Sequence, residues 1–378
     1  MSDQADKAAS PEHAPEVTVI IPTYQEAESL PQLLERLGAV RRGGVDLNVL
    51  VVDDDSGDGT DSVIAALNLD WVRLITRTNA RGLSSAVLRG MREATGRSCV
   101  VMDADLSHPP EVIPDFLEAL RGGADFVVGS RYVPGGSTED GWGVLRWINS
   151  KVATVMARPF TSVRDPMSGF LGFSRELIAD PSVLDPVGYK IGLELIVKGG
   201  CTRVEEVPIH FSTRTHGQSK LSLRVQLQYL DHILRLARWK YPKLSSFVPF
   251  AAVGASGVGV YVLLLWLLEA LAGGLIGEDF RIVLAIVGTM VWNFTFDRWL
   301  AFWYARSQPL LGQLAGFIAV CSVPVVVNFL VTRWLIGDDF VSPAAGAIGA
   351  VTGSVAGVVF NWFVMRAVVF RGRSHERG

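Results

Sequence analysis

Three cysteines in 378 residues, Cys99, Cys201 and Cys321, are too few and too far apart for a disulfide framework, and they share no CxxC spacing. They read as reduced, buried thiols of a chain in or facing a cytosol. An excess of one charge is also missing: 35 Lys and Arg stand against 38 Asp and Glu, a net charge of −3. There is no basic stripe of the size that tracks a phosphodiester backbone, so a nucleic-acid partner is excluded. No GxGxxG follows the first apolar run and no GxxxxGK[ST] occurs, which excludes a dinucleotide fingerprint and a P-loop. The first sixteen residues, MSDQADKAASPEHAPE, hold no apolar stretch and read as a polar, disordered tail, not a signal peptide.

What is present is divided unevenly along the chain. Residues 17 to about 243 are ordinary globular sequence; residues 247 to 370 are mostly apolar. Four long apolar segments, Phe247–Ala272, Phe280–Trp303, Leu310–Ile336 and Pro343–Phe370, each exceed the roughly 20 residues that cross a bilayer core as a helix. Arg and Lys cluster before the first (Arg235, Arg238, Lys240, Lys243), between the second and third (Arg298, Arg306) and after the fourth (Arg366, Arg371, Arg373, Arg377). The other two connections are acidic or nearly neutral. By the positive-inside rule both termini and the globular half lie in the cytoplasm, against the cell membrane.

The apolar half repeats. Asn293, Arg298 and Phe302 close the second segment, and Asn361, Arg366 and Phe370 close the fourth at the same internal spacing, 68 residues later. A duplicated two-helix unit is the simplest account. The matching Asn and Arg pair across the bundle, hold a lipid phosphate, or snorkel to the interface.

The globular half alternates strand and helix. VTVIIP (17–22) reads as a fully buried strand, and further strands are expected at LNVLVVDDDS, WVRLIT, SCVVMDAD and ADFVVGSR, with helices between them. That pattern predicts an α/β fold with a doubly wound, mostly parallel sheet. Ligands of such sheets sit at the carboxyl ends of the strands. There the chain carries Thr23-Tyr24-Gln25-Glu26, Asp53-Asp54-Asp55-Ser56, Asp103 with Asp105, and Ser130-Arg131. On a strand, residues two apart share a face, so Asp103 and Asp105 converge on one hard divalent cation whose shell a diphosphate completes. Residues 221–243 form an amphipathic stretch, with Leu223, Leu227, Leu230, Leu234 and Ala237 at helical spacing, which suits a membrane surface.

The segments IPTYQE (21–26), VVDDDSGDGT (51–60), ARGLSSAVLRGMREATG (80–96), VMDADLSHPPEVIP (101–114), GSRYVPGG (129–136), DPMSGF (165–170) and PIHFSTRTHGQSKL (208–221) together resemble the family-2 glycosyltransferases of GT-A fold. Within them they resemble the dolichyl-phosphate (polyprenyl-phosphate) mannose synthases. The apolar half resembles the GtrA-type four-helix domain. The resemblance implies a tail (1–16), a GT-A domain (17–220), interface helices (221–243) and a GtrA-like domain with four spans (244–372). It implies that Pro22, Tyr24, Glu26, Val51 and Asp53 hold the nucleobase and ribose, and that Asp103, Ala104 and Asp105 meet the diphosphate and a Mg²⁺ or Mn²⁺ ion. Arg131 would face the reacting groups, Arg214 and Lys220 would clamp donor phosphates, and Arg146 and Ser150, with Arg131, would bind the acceptor phosphate. The catalytic set is then Asp105, Arg131 and Lys220. Two positions depart from the pattern: Ser107, a shorter and weaker metal ligand beside Asp103 and Asp105, directly or through water, stands where the family has a Gln ligand, and Gln25 stands where it has Asn.

The implied reaction is inverting transfer of mannose from GDP-mannose to a polyprenyl (dolichyl) monophosphate at the bilayer. No general base stands out, and a phosphate monoester needs none because its second pKa is about 6. His108 reads as a local packing or capping residue, His216 as a turn residue, and Glu194 as structural. Asp165 and Ser168 either shape the acceptor side or form a structural turn. A glucosyltransferase using UDP-glucose shares nearly every feature. A processive polysaccharide synthase is disfavoured because Arg235-Leu-Ala-Arg238-Trp239 lacks the Gln of a QxxRW motif. A non-catalytic flippase or scaffold is disfavoured by the intact Asp103, Asp105, Arg131 and Lys220.

Overall fold

The computed structural model describes residues 14–79, 81–138, 144–178, 183–185, 190–212, 223–272, 275–322 and 358–371. The chain forms two compact units, Met1–Lys240 and Tyr241–Gly378.

The first unit is built on a seven-stranded sheet of order β3-β2-β1-β4-β7-β5-β8. Its strands are β1 (Val17–Thr23), β2 (Leu47–Asp53), β3 (Val72–Thr76), β4 (Ser98–Val101), β5 (Phe126–Ser130), β7 (Leu171–Ser174) and β8 (Val204–Pro208). A separate two-stranded ribbon pairs β6 (Ser137–Thr138) with β9 (His210–Phe211). Helices α1 (Leu30–Arg42), α2 (Thr60–Leu67), α3 (Leu83–Glu93), α4 (Ile113–Arg121), α5 (Val144–Ala157), α6 (Ile191–Lys198) and α7 (Leu223–Lys240) complete the unit.

β1 is buried along its whole length because both sheet faces are covered. Alternation along the strand sorts its side chains between two cores. Val17, Val19 and Ile21 join Val49, Val51, Val100 and Met102 under Leu30, Leu33, Leu34 and Leu37 of α1. Ile20 joins Leu50, Val52, Cys99 and Val101 under Val87 and Met91 of α3. Each fully buried leucine of α1 contributes about 1.5–3 kcal/mol relative to exposure. On the other face α3 crosses β1 so closely that a Cβ on Gly90 would lie 2.3 Å from Cγ2 of Ile20.

The doubly wound, mostly parallel sheet is therefore present, with two differences from expectation. β7 runs antiparallel to both of its neighbours, β4 and β5. β4 ends at Val101, opposite Ile20 of β1, so the expected strand over 98–105 is cut short. Asp103 and Asp105 then lie on a turn that includes Leu106 at φ 65°, and do not share a strand face. β2 lies on one side of β1 and β4 on the other, which makes the β1–β4 boundary the topological switch point.

The second unit contains α8 (Pro242–Ala272) and α9 (Glu278–Phe296), the latter continued by a π-helical turn over Asp297–Ala301. With that turn, Asp279–Ala301 and Pro242–Ala272 are both long and apolar enough to cross a bilayer. Two shorter apolar helices, α10 (Leu310–Ser322) and α11 (Val358–Val369), are the described parts of the expected third and fourth segments; the rest lies outside the described residues. The repeat is visible in the backbone. Met365–Val369 is a second π-helical turn, 68 residues after the first, and Phe302 and Phe370 stack with centroids 4.4 Å apart. Arg298 does not reach a repeat mate: it donates to Oε1 of Gln313 (2.7 Å) and to the carbonyls of Arg306 and Gln308.

Candidate active site

The loops after β1 and β2 lock together at the switch point. The Asp53 carboxylate accepts from the hydroxyls of Thr23 (3.3 Å) and Ser56 (2.5 Å) and from the Ser56 N–H (3.0 Å). The Ser56 hydroxyl in turn accepts from the Gln25 N–H at 2.9 Å, which holds Gln25 at φ 60°. Asp58 accepts from the Ala27 N–H and from Thr60. Burial pushes the Asp58 carboxyl upward, and these hydrogen bonds outweigh it, so its pKa is lowered overall. Tyr24 stands at this edge with 41% of its surface exposed, and the Arg81 guanidinium lies 5.3 Å above its ring. An exposed aromatic face beside an anchored carboxylate suits a nucleobase. Pro22 and Val51 are buried in the strands below, and the Glu26 carboxylate accepts from the Ser29 hydroxyl at 3.4 Å.

Asp54 turns the other way. Its carboxylate is bound by Nε and Nη2 of Arg77 and by the Gly82 N–H (2.7 Å), so it fastens the loop carrying Arg81 and leaves the acidic rim.

The turn after β4 is organised by two side chains. The Asp103 N–H donates to Nδ1 of His108 (3.0 Å), whose ring stacks on Phe170 with centroids 5.1 Å apart. That bond makes Nδ1 an acceptor, so His108 caps and packs the turn. Asp105 is buried and accepts from the N–H (3.1 Å) and hydroxyl (2.5 Å) of Ser107, itself fully buried. Ala104 is buried in the core between them. The Ser107 carbonyl accepts from the Ser212 N–H at 3.3 Å, which ties the end of β9 to this turn. Arg214 and Lys220 lie outside the described residues, as does the Arg146 side chain.

The 165–170 loop lies against both sides of the site. A Cβ on Gly169 would sit 3.6 Å from the Asp103 carboxylate oxygens. At the other end, fully buried Asp165 binds Arg131 through the Arg131 N–H (3.1 Å), Nε (2.7 Å) and Nη2 (2.8 Å). Burial pushes the Arg131 pKa down, and the bond to Asp165 and its charge, with a smaller contribution from Asp103, raise it. Arg131 is thus charged and electrostatically coupled to Asp103. Its guanidinium lies 5.1 Å from the Phe211 ring and 5.4 Å from the Tyr132 ring. The Tyr132 and Ser150 hydroxyls are 3.1 Å apart, and Lys151 Nζ is 4.7 Å from the Tyr132 ring.

Among the described residues no group of three or more His, Cys, Asp or Glu surrounds a metal-sized space. Asp103 and Asp105 supply two hard oxygen donors, which fits a Mg²⁺ or Mn²⁺ ion whose remaining ligands come from substrate oxygens. A groove of about 570 Å³, lined by Leu34, Arg41, Arg42 and Trp71 among others, contains none of these carboxylates.

Comparison with known proteins decides the family. Residues 18–180 match the model described as glycosyl transferase family 2, and residues 249–370 match the GtrA/DPMS transmembrane domain. The dolichol-phosphate mannosyltransferase of Pyrococcus furiosus is 38% identical over 325 residues, covering 85% of this chain and 90% of that protein. This chain belongs to the dolichol-phosphate mannosyltransferase family. It is a membrane glycosyltransferase. The Saccharomyces cerevisiae dolichol-phosphate mannosyltransferase is 41% identical over 237 residues, covering 60% of this chain and 88% of its own length. The polyprenol monophosphomannose synthase of Mycolicibacterium smegmatis is 39% identical over 217 residues, covering 54% and 80%. A solved structure of Mycobacterium tuberculosis glucosyl-3-phosphoglycerate synthase, in complex with Mn²⁺, uridine diphosphate and phosphoglyceric acid, is 19% identical and covers 60% of this chain and 79% of its own, at a TM-score of 0.46.

Some contacts in this mannosyltransferase-family site went unread in the sequence. The Arg77–Asp54 clamp, Arg81 over Tyr24, the Tyr132–Ser150 pair and Glu206 behind Asp165 all join residues at least 18 positions apart. Arg77 and Glu206 lie outside every segment the sequence singled out, whereas Tyr24, Asp54, Ser150 and Asp165 gave a signal without their partners.

Proposed function

We propose that this protein transfers mannose from GDP-mannose to a polyprenyl (dolichyl) monophosphate with inversion, at the cytoplasmic face of the cell membrane. The observation that carries the reading is that one loop, 165–170, lies against two unlike sets of residues: Asp103 beside Asp105 at one end, and Arg131 with the Tyr132–Ser150 hydroxyl pair at the other. The first set suits a metal-bound diphosphate and the second a phosphate monoester.

Tyr24, Asp53 and Glu26, with the strand ends at Pro22 and Val51, hold the nucleoside. A Mg²⁺ or Mn²⁺ ion held by Asp103 and Asp105 would neutralise charge on the departing nucleoside diphosphate. Ser107 orients Asp105 through its N–H and hydroxyl. Arg214 and Lys220 add positive charge to the donor phosphates. Arg146, Ser150 and Arg131 aim the acceptor oxygen at the anomeric carbon, where the C–O bond to the acceptor forms as the bond to the diphosphate breaks. No proton must be removed, because the acceptor dianion is already a nucleophile above a pH of about 6. The carboxylate on the acceptor side, Asp165, is engaged by Arg131 and is not positioned as a base. Catalysis rests on positioning and charge neutralisation.

A lipid acceptor also accounts for α7. Leu227 is 58% exposed, and Leu230 and Leu234 on the same stripe are exposed as well, whereas Ile233 and Leu236 on the other face are buried. Val152 and Val155 of α5 are exposed too, and α5 is tied to α7 by a 2.8 Å bond from the Tyr229 hydroxyl to the Ala153 carbonyl. These side chains suit an interfacial resting place for the catalytic unit.

The deciding experiment is sugar transfer by membranes containing the full chain. It supplies a polyprenyl phosphate, Mg²⁺ or Mn²⁺, and labelled GDP-mannose or UDP-glucose. Lipid product from GDP-mannose, reduced by roughly two to three orders of magnitude in Asp105→Ala, is expected. Product from UDP-glucose alone refutes the mannosyl assignment, and an unaffected Asp105→Ala refutes the metal site.

A further inference from the structure

Arg131 cannot hold its place by its own chain. It is the first residue past β5, and its fork and its ring contacts fix the guanidinium. The Nε–Nη2 edge is clasped by both oxygens of Asp165, with the Arg131 N–H added to the same carboxylate. Such bidentate pairing sets both the direction and the plane of the guanidinium. The bond to Asp165 therefore sets the direction in which the rest of the guanidinium faces.

Asp165 is itself held from behind. The Glu206 carboxylate accepts from two successive backbone groups, the Arg164 N–H (2.8 Å) and the Asp165 N–H (3.0 Å). Glu206 lies on β8 in register with Val128 of β5, the strand that delivers Arg131. The Ser168 hydroxyl also donates to the Gly129 carbonyl of β5 at 2.7 Å. The 165–168 turn is thus strapped to the strand on which Arg131 depends.

We propose that Asp165, braced by Glu206, is the positioning residue that orients Arg131 toward the phosphate it binds during transfer. This inference rests on the proposed role of Arg131 as a phosphate ligand. Asp165 touches no substrate; it acts through Arg131. Without its carboxylate, the Nε–Nη2 edge of Arg131 loses the fork that sets its plane.

The test is a double-mutant cycle on the full-length protein in membranes, read as kcat and KM for each substrate, with melting temperature followed in parallel. Asp165→Asn turns one acceptor into an NH₂ facing an Arg131 donor. It is expected to lower kcat/KM for the acceptor by roughly 30-fold or more, as expected when one partner of a buried charged pair is lost. Arg131→Ala should cause a similar loss, and adding Asp165→Asn to it should change kcat/KM by less than about 2-fold, since positioning has nothing left to position. Glu206→Gln, on the edge strand, retains one acceptor oxygen and should give a smaller loss in the same acceptor parameter, with KM for the nucleotide sugar unchanged. Equal losses from Asp165→Asn in the wild-type and Arg131→Ala backgrounds would overturn the inference, because a purely structural aspartate acts independently of Arg131. Wild-type kinetics in Arg131→Ala would overturn the phosphate-ligand reading itself, and the role of Asp165 with it.

Discussion

Breaking the Asp54–Arg77 ion pair should destabilise the catalytic unit strongly. Both side chains are more than nine-tenths buried, at 7% and 9% exposure. Arg77 also donates from Nη1 to the Ser85 hydroxyl (2.9 Å) and from Nη2 to the Gly82 carbonyl (3.2 Å), and Asp54 accepts from the Gly82 N–H. One pair therefore ties the ends of β2 and β3 to the start of α3. Removing one partner of a buried pair leaves the other charge desolvated and costs about 3–5 kcal/mol. Arg77→Met should accordingly lower the melting temperature of this unit by roughly 6–20 °C, at about 2–4 °C per kcal/mol for a unit of this size. Arg77→Met with Asp54→Leu should recover much of the loss, because no unpaired charge then remains. The loop that carries Arg81 over Tyr24 hangs from this pair, so the KM for the nucleotide sugar should rise in the single variant even well below its melting point. The assay is thermal unfolding of the full chain in detergent by near-UV circular dichroism, beside donor-saturation kinetics. A fall of less than about 2 °C, corresponding to less than about 1 kcal/mol, would refute the burial argument.

Tyr24→Ala should raise the donor KM by roughly 5- to 100-fold and leave kcat near wild type, since stacking on a base contributes about 1–3 kcal/mol; an unchanged donor KM would remove Tyr24 from the nucleotide site. His232, buried between Ile233 and the α6 residues Glu194 and Lys198, has a lowered pKa: burial dominates, Lys198 and Arg235 also lower it, and Glu194 and Asp185 raise it. A depressed folded pKa means stability that is present above the unfolded value of about 6.5 and lost as pH falls through the folded one. The melting temperature should therefore decline below a pH of about 6.5, and His232→Leu should flatten that decline, which a pH series of melts would measure.

The sequence revealed those elements whose signal is local and missed those set by partners. β1 and β2 are legible because a strand covered on both faces must be apolar throughout. α1 is legible because Leu30, Leu33, Leu34 and Leu37 repeat at helical spacing. The end of β4 is not legible: Met102 is as apolar as Val101, but pairing with β1 stops at Ile20, and the chain turns out of the sheet. β7 escaped because four residues, LGFS, carry too short a pattern, and their antiparallel direction breaks the strand–helix alternation. The acidic run Asp53-Asp54-Asp55 looked like one cluster. Strand alternation divides it, sending Asp53 to Thr23 and Ser56 and Asp54 to Arg77. Roles of this kind depend on partners 23 to 41 residues away, as for Arg77–Asp54, Arg131–Asp165 and Asp165–Glu206, and no periodicity encodes them.

The membrane half reverses that balance, because a duplication writes its structure twice. After 68 residues the same backbone recurs: the Phe302 N–H bonds the Asp297 carbonyl at 2.8 Å, and the Phe370 N–H bonds the Met365 carbonyl at 2.8 Å. A π-helical turn carries an inserted residue that a straight helix would expel, and its persistence in both copies means that packing requires it. The stacked Phe302 and Phe370 supply the reason, since each turn delivers its aromatic ring to the junction between the copies. The side chains on the turns have diverged where the backbone has not. Asp297 of the first turn corresponds to Met365 of the second, and both are buried. Methionine at the second position shows that this backbone does not need a carboxyl group there. The shared turn therefore rests on its backbone and its stacked rings, not on the side chain at this position.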